Sequence, residues 1–262
     1  MPYQRVRGFK CYYEDRGRKA PLLLLHGAIG SGELHLTPQI EEFSRSYRVI
    51  VPDMRGYGKS RPPERDFPLD FYIRDCEDMA ALMRKIGACP FFAAGWSDGG
   101  IVALWLAVKY PRLVEKLIVW GANSYFSAED ITAYEKSRDT HKWPQHRQKE
   151  IAKVYGEPYW REMWGQWCDS AKDIYAAGGR PVRDCLQLIS HPTLILHGKK
   201  DPLVPSFHPL LLHREIPHAK LKVFPNGRHD IHLTHTAGFN QAVLEFLQDE
   251  AVHKLPEKQS SR

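Results

Sequence analysis

The hexapeptide Gly95, Trp96, Ser97, Asp98, Gly99, Gly100 constrains the fold of this chain more than any other feature, because it joins the apolar run PFFAA to the apolar stretch IVALWLAV. A short strand, an abrupt glycine-flanked turn and an immediate helix put Ser97 at the apex of a strained elbow, with its hydroxyl free and helix N–H groups beneath it. That is a nucleophile's position. The competing reading of the same residues is an inert serine in a helix-capping turn. A bare GxSxG match arises often by chance, so the strand, turn and helix context carries the weight.

A serine hydroxyl needs a base to take its proton and a third group to hold the base's tautomer. The stretch TLILHGKKDPLVP reads as a strand, Thr193 to His197, running into a loop that carries Asp201. Farther on, LKVFPNGRHDIHL reads as a strand, Leu221 to Phe224, followed by a loop bearing His229, with His232 as its nearest substitute. Asp201 precedes a proline and could instead cap a turn. The order Ser97, Asp201, His229 is the nucleophile, acid and base order of α/β-hydrolases, and differs from those of the two familiar serine protease folds.

An acyl-transfer intermediate needs two N–H donors aimed at its oxyanion. One is expected from Asp98, the residue after the nucleophile, and the other from the HGAIG loop after the strand PLLLL, at Ala28 or alternatively Ile29. His26 in that loop is expected to brace a tight turn. A phosphate loop is excluded, since no lysine followed by Ser or Thr stands where a nucleotide loop requires it.

Asp98 is the unusual residue. Its amide serves the oxyanion, yet its carboxylate lies near the same pocket and opposes negative charge there unless a cation offsets it. A substrate ammonium beside the scissile carbonyl is the economical solution, and it predicts esters or amides of α-amino acids. The alternative is an aspartate kept for its favourable interaction with a helix N-terminus.

The chain of 262 residues, 43% of them apolar, suits one hydrolase unit. Strand and helix alternate: strands at Phe9 to Tyr13, Pro21 to Leu25, Arg48 to Pro52 and Leu117 to Gly121, with helices at Leu36 to Phe43, Asp70 to Ile86, from the elbow to about Lys109, and Thr236 to Leu247. The expected fold is α/β, an open and mostly parallel sheet with helices on both faces, whose site lies beyond the carboxyl ends of the strands. Between Asn123 and Ile189 the sheet pattern stops, and Trp143, Trp160, Trp164 and Trp167 appear among tyrosines and charges, as in a helical cap over the site. The expected organisation is core over 1–122, cap over 123–190, core over 191–250 and a flexible tail over 251–262.

No apolar run approaches the roughly 20 residues needed to span a bilayer. The five scattered cysteines read as free thiols in a reducing compartment, cytoplasmic or mitochondrial, since the basic opening MPYQRVRGFK has no secretory core. The net charge of +6 is spread among acids rather than gathered in a stripe, which argues against nucleic acid. HDIH completes no metal site, nothing demands a cofactor, and a monomer acting on a small molecule is expected.

Taken together, VPDMRGYGKSRPPERDFP, GWSDGG, IVWGAN, LILHGKKDPLVP and NGRHDIHL give a chain that resembles the valacyclovir hydrolase, or biphenyl hydrolase-like, family of α/β-hydrolases over nearly its whole length. The resemblance implies a serine hydrolase of α-amino acid esters, including amino acid ester prodrugs of nucleosides, with Ser97, Asp201 and His229 as triad and Asp98 holding the substrate's α-amino group. The HGAIG loop departs from the family pattern, which has a proline before the glycine, and leaves the second oxyanion donor open. General carboxylesterases and carbon–carbon bond hydrolases of the meta-cleavage type are the neighbouring alternatives; a noncatalytic receptor would have no need of the full Ser, Asp and His set.

Overall fold

The computed structural model describes residues 3–249. Eight strands form one sheet in the order β1-β2-β4-β3-β5-β6-β7-β8, where β1 is Tyr3–Val6, β2 Phe9–Arg16, β3 Pro21–Leu25, β4 Arg48–Pro52, β5 Phe91–Trp96, β6 Val114–Trp120, β7 Thr193–Gly198 and β8 Ala219–Phe224. The pairs β1/β2 and β2/β4 are antiparallel and the others parallel. The central strands are covered on both faces, which is why they read as continuous apolar runs.

Successive side chains of a strand point to opposite faces, and the core divides accordingly. Leu23 and Leu25, with Ile50, Ala93, Leu117 and Val119, pack toward α3 (Phe71–Lys85), α4 (Asp98–Lys109) and α8 (Phe207–Glu215). Leu22 and Leu24, with Val49, Val51, Ile118 and Trp120, pack toward α2 (Thr37–Phe43) and α10 (Thr236–Gln248). Two short helices, α1 (Gly32–His35) and α9 (Ile231–Thr234), precede α2 and α10. Segment 123–190 contains α5 (Ala128–Ser137), α6 (Gln145–Tyr155) and α7 (Tyr159–Ala176), and Trp160, Trp164 and Trp167 of α7 join the same apolar cluster as α3 and α4. The helical region is thus packed onto the core. The α/β-hydrolase architecture expected from the sequence is present, while the tail expected over 251–262 lies outside the described residues.

β1 has no counterpart among the expected strands, β2 runs on to Arg16, β6 runs from Val114 to Trp120, β7 ends at Gly198 and β8 starts at Ala219; the first of these and the early start of β6 have clear physical reasons. β1 has only Val6 buried, so it carries no apolar run; it is held by its pairing to β2 through the turn Arg7-Gly8, where both φ angles are positive (39° and 91°), as a tight hairpin requires. β6 begins at Val114 rather than Leu117 because Lys116, though charged, points inward. Its Nζ donates to the carbonyls of Phe246, Leu247 and Asp249 at 2.9–3.1 Å, satisfying the end of α10. Among the described residues no helix is long and apolar enough to cross a membrane, and all five cysteines are free.

Lys116→Met removes three charge-assisted hydrogen bonds and leaves the α10 carbonyls buried without them, so it is expected to lower unfolding free energy by about 1–3 kcal/mol. Urea denaturation should show a lower midpoint with an unchanged slope. An unmoved midpoint would mean that the lysine contributes no net stability.

Candidate active site

The chain leaves β5 and enters α4 within one residue, and Ser97 absorbs the turn with φ 54° and ψ −121°. A non-glycine residue there stores strain on the order of 1–3 kcal/mol. The surroundings hold it: Ser97 N–H donates to the Trp120 carbonyl at 2.9 Å, and the Ser97 carbonyl accepts from Gly100 N–H at 2.8 Å. Gly99 is required by a close crossing, because a Cβ there would lie 2.5–2.6 Å from the carbonyl oxygens of Leu25 and His26. The loop leaving β3 therefore runs directly beside the serine.

Asp201 and His229 follow the ends of β7 and β8 and meet Ser97 across the sheet. His229 Nδ1 lies 2.8 Å from Asp201 Oδ2, and Nε2 lies 3.1 Å from Ser97 Oγ. An ionised Asp201 only accepts, so Nδ1 carries the proton and Nε2 is left to accept from the serine hydroxyl. The other carboxylate oxygen, Oδ1, accepts from the N–H groups of Leu203 and Val204 at 2.8 and 3.0 Å. Burial works to raise the Asp201 pKa, but His229 and the Val204 N–H outweigh it and hold the carboxyl below its ordinary value. Asp201 thus makes its turn and faces His229 with the same side chain.

His232 stands apart from this chain of bonds. It is buried, with Nε2 against the His35 carbonyl at 3.1 Å and its ring against Trp96 and Trp120. His26 braces its loop as expected, Nδ1 donating to the Gly27 carbonyl and Nε2 accepting from Met54 N–H. Two supporting residues escaped sequence reasoning. Trp96 Nε1 donates to the His229 carbonyl at 2.9 Å, and Gly121, at φ 55°, leaves room for the His229 ring, which a Cβ would approach to 3.1 Å. The Trp in GWSDGG was the available signal for the first; the second had none, since it depends on a contact 108 positions away in sequence.

Around Ser97 lies a chamber of about 30 Å³ bounded by Ala28, Asp98, Tyr134, Trp164, Trp167 and His229, among others. Ala28 faces it, whereas Ile29 is turned into the core with φ 48°. Asp98 is nearly fully buried, its Oδ1 accepting from Tyr72 Oη at 2.9 Å and Oδ2 from Trp167 Nε1 at 2.7 Å. Burial pushes its pKa up to about 6, against the pull of those two hydrogen bonds and of Arg65. Among the described residues it forms no ion pair; Arg65 is committed to Asp75 at 2.8 Å. Neither Tyr72 nor Trp167 was legible as an Asp98 partner, since both sit in helices whose aromatic residues read as packing. Arg147, Trp164 and Leu203 separate the chamber from an outer cavity of about 620 Å³ between the cap helices and the Asp201 loop.

The alpha/beta hydrolase fold family matches residues 20–149 and 141–236 of the chain. The human protein named "Serine hydrolase BPHL" is 39% identical over 246 residues, covering 93% of this chain and 84% of that protein. The 2-hydroxymuconate semialdehyde hydrolase of Pseudomonas sp. (strain CF600) is 25% identical, covering 92% of each chain. Among solved structures, MGS-M2, an α/β hydrolase from a Medee basin deep-sea metagenome library, superposes with a TM-score of 0.82 at 20% identity, covering 98% of this chain and 99% of that one, a likeness of fold. With this identity to BPHL over nearly its whole length and the elbow serine at the end of β5, the chain belongs to the α/β-hydrolase family, among its BPHL-like serine hydrolases.

Proposed function

We propose that the enzyme hydrolyses α-amino acid esters through an acyl-enzyme, with the substrate ammonium paired to Asp98. The observation that carries this reading is a buried carboxylate beside the nucleophile that accepts two neutral hydrogen bonds and, among the described residues, forms no ion pair. A buried anion without a cation opposes the oxyanion of acyl transfer, and an ammonium on the α-carbon reverses that opposition. An acidic dienone of the meta-cleavage type brings a further negative charge into the same site and gains nothing from Asp98. Ester chemistry of the valacyclovir hydrolase family, including nucleoside amino acid ester prodrugs, has room for a bulky leaving group in the outer cavity of about 620 Å³.

In this reading His229 Nε2 accepts the Ser97 proton as Oγ attacks the ester carbonyl, and Asp201 stabilises the imidazolium across the 2.8 Å bond. The N–H groups of Asp98 and Ala28 receive the oxyanion, each contributing about 3 kcal/mol in the transition state. His229 then protonates the departing alcohol and activates the water that releases the amino acid. The segments 1–122 and 191–250 supply the triad and the sheet, and 123–190 closes over the leaving group.

Ser97→Ala is expected to abolish labelling by a fluorophosphonate, and Asp201→Asn to lower kcat by about 10²–10⁴ by favouring the wrong His229 tautomer. Normal labelling of the alanine variant would place the nucleophile elsewhere.

Asp98 is tested with a matched pair, an L-α-amino ester and the same ester without its amino group. The wild type should favour the amino ester in kcat/KM, and Asp98→Asn should shrink the ratio at least about tenfold. Equal losses on both esters would reject the ammonium role.

The pH dependence has a defined sign. Below about 6 the Asp98 carboxyl is protonated and offers the ammonium no charge, so the amino to deamino ratio should rise as pH increases through about 6. It should fall again as the substrate's own amine, near an α-amino pKa of about 8, loses its proton. Taking the ratio cancels ionisation of His229, which both esters share; a pH-independent ratio would contradict the assignment.

A further inference from the structure

Arg147 occupies a position that folding alone disfavours. It lies in the first turn of α6, after Pro144, where the helix dipole and the unbonded N–H groups favour anions. Its guanidinium sits 4.9 Å from the Trp143 ring centroid, and among the described residues it makes no hydrogen bond or ion pair. Burial pushes its pKa down from the ordinary arginine value, and Asp230 and Glu150, the carboxylates that act on it, only partly oppose that. A half-buried cation against a helix N-terminus, whose fork of donors has no protein hydrogen-bond partner among the described residues, is open to an anion.

Its location says which anion. Arg147 borders both the Ser97 chamber and the outer cavity, where Trp143 and Pro144 also form the wall. The outer cavity is bordered by Lys136, Lys142, Arg147 and Arg228 and by Glu129 and Asp139; Asp139 pairs with Lys142 at 3.1 Å, which leaves three cations against Glu129. The acyl end of the site thus carries a buried anion, Asp98, and the mouth carries a cation.

We infer that Arg147 selects the leaving group by binding a carboxylate or phosphate on it, so that the preferred substrates are α-aminoacyl esters of alcohols that bear an anionic group. This rests on the amino-ester reading above: the ammonium lies against Asp98, the ester carbonyl at Ser97, and the anion between Arg147 and the α6 N-terminus. Arginine suits the task because its planar fork meets either anion through two parallel N–H bonds.

The test compares kcat/KM for three L-alanyl benzyl esters that differ only at the para position: a neutral carboxamide, a carboxylate and a phosphonomethyl group. In the wild type at least one acid should exceed the carboxamide by about tenfold, as a charge-assisted bidentate contact implies. Which acid is favoured identifies the source of the anion. Arg147→Gln should remove that preference, while Arg147→Lys should keep part of it. The proposal is overturned if the carboxamide ester matches both acids in the wild type, if the preference survives in Arg147→Gln, or if that variant depresses all three esters equally. The carboxamide ester is also run against its deamino counterpart; a ratio of one there defeats the amino-ester reading itself, whatever the three para groups show.

Discussion

A strand that becomes a helix within one residue leaves its turning residue almost no choice of backbone, and Ser97 takes the left-handed region to satisfy it. The rest of the site is arranged around that constraint. The turn frees the first N–H groups of α4, because their carbonyl partners would lie before the helix begins. It also forces the β3 exit loop to cross Gly99, and the crossing sets Ala28 on the wall of the same chamber as Ser97. Strain on the order of 1–3 kcal/mol is small beside the packing of two apolar clusters on either face of the sheet, so the elbow persists.

Asp98 places two opposed charges in one residue. Its N–H lies at the positive end of a helix, while its carboxylate brings a charge of the wrong sign for acyl transfer. A like charge beside an oxyanion in a buried site opposes it, against the stabilisation that the oxyanion donors supply. Tyr72 and Trp167 solvate the carboxylate without neutralising it, and Arg65, held by Asp75, acts only from a distance. A charge kept in this state is costly unless a ligand completes it. The ammonium reading explains why the residue is neither apolar nor paired.

The parts of this site legible in the sequence are those that depend on local order. Ser97 and Asp201 each follow an apolar strand and His229 follows a short strand interleaved with lysines, and the carboxyl ends of parallel strands in one sheet bring such residues together. The four-leucine run of β3 likewise needed only neighbouring residues. Residues defined by long-range contacts were hidden. Lys116 looks like the charged edge of a strand until the carbonyls of α10 arrive 130 residues later, and Tyr72 looks like sheet cover until Asp98 reaches its hydroxyl. β1 carried no apolar pattern at all, because its stability comes from backbone pairing and a two-residue turn.

The seam between cap and core carries the remaining chemistry. Tyr155 of α6 donates to the Gly30 carbonyl and accepts from Gly58 N–H, so the cap grips the loop that bears Ala28. The buried Asp130 of α5 meets His208 of α8 at 2.9–3.0 Å, tying the cap to the helix that follows the Asp201 loop. Trp167 reaches Asp98 from the same cap, and Arg147 stands on its inner edge. The cap therefore touches the loop that bears Ala28, the helix α8 and the Asp98 carboxylate, but among the described residues none of its side chains belongs to the Ser97, His229 and Asp201 chain of bonds. Changes on its inner edge can alter which leaving group is accepted while the bond-making atoms keep their geometry, because the groups that fix Ser97 and His229, the Trp120 carbonyl and the Trp96 indole, both belong to the sheet.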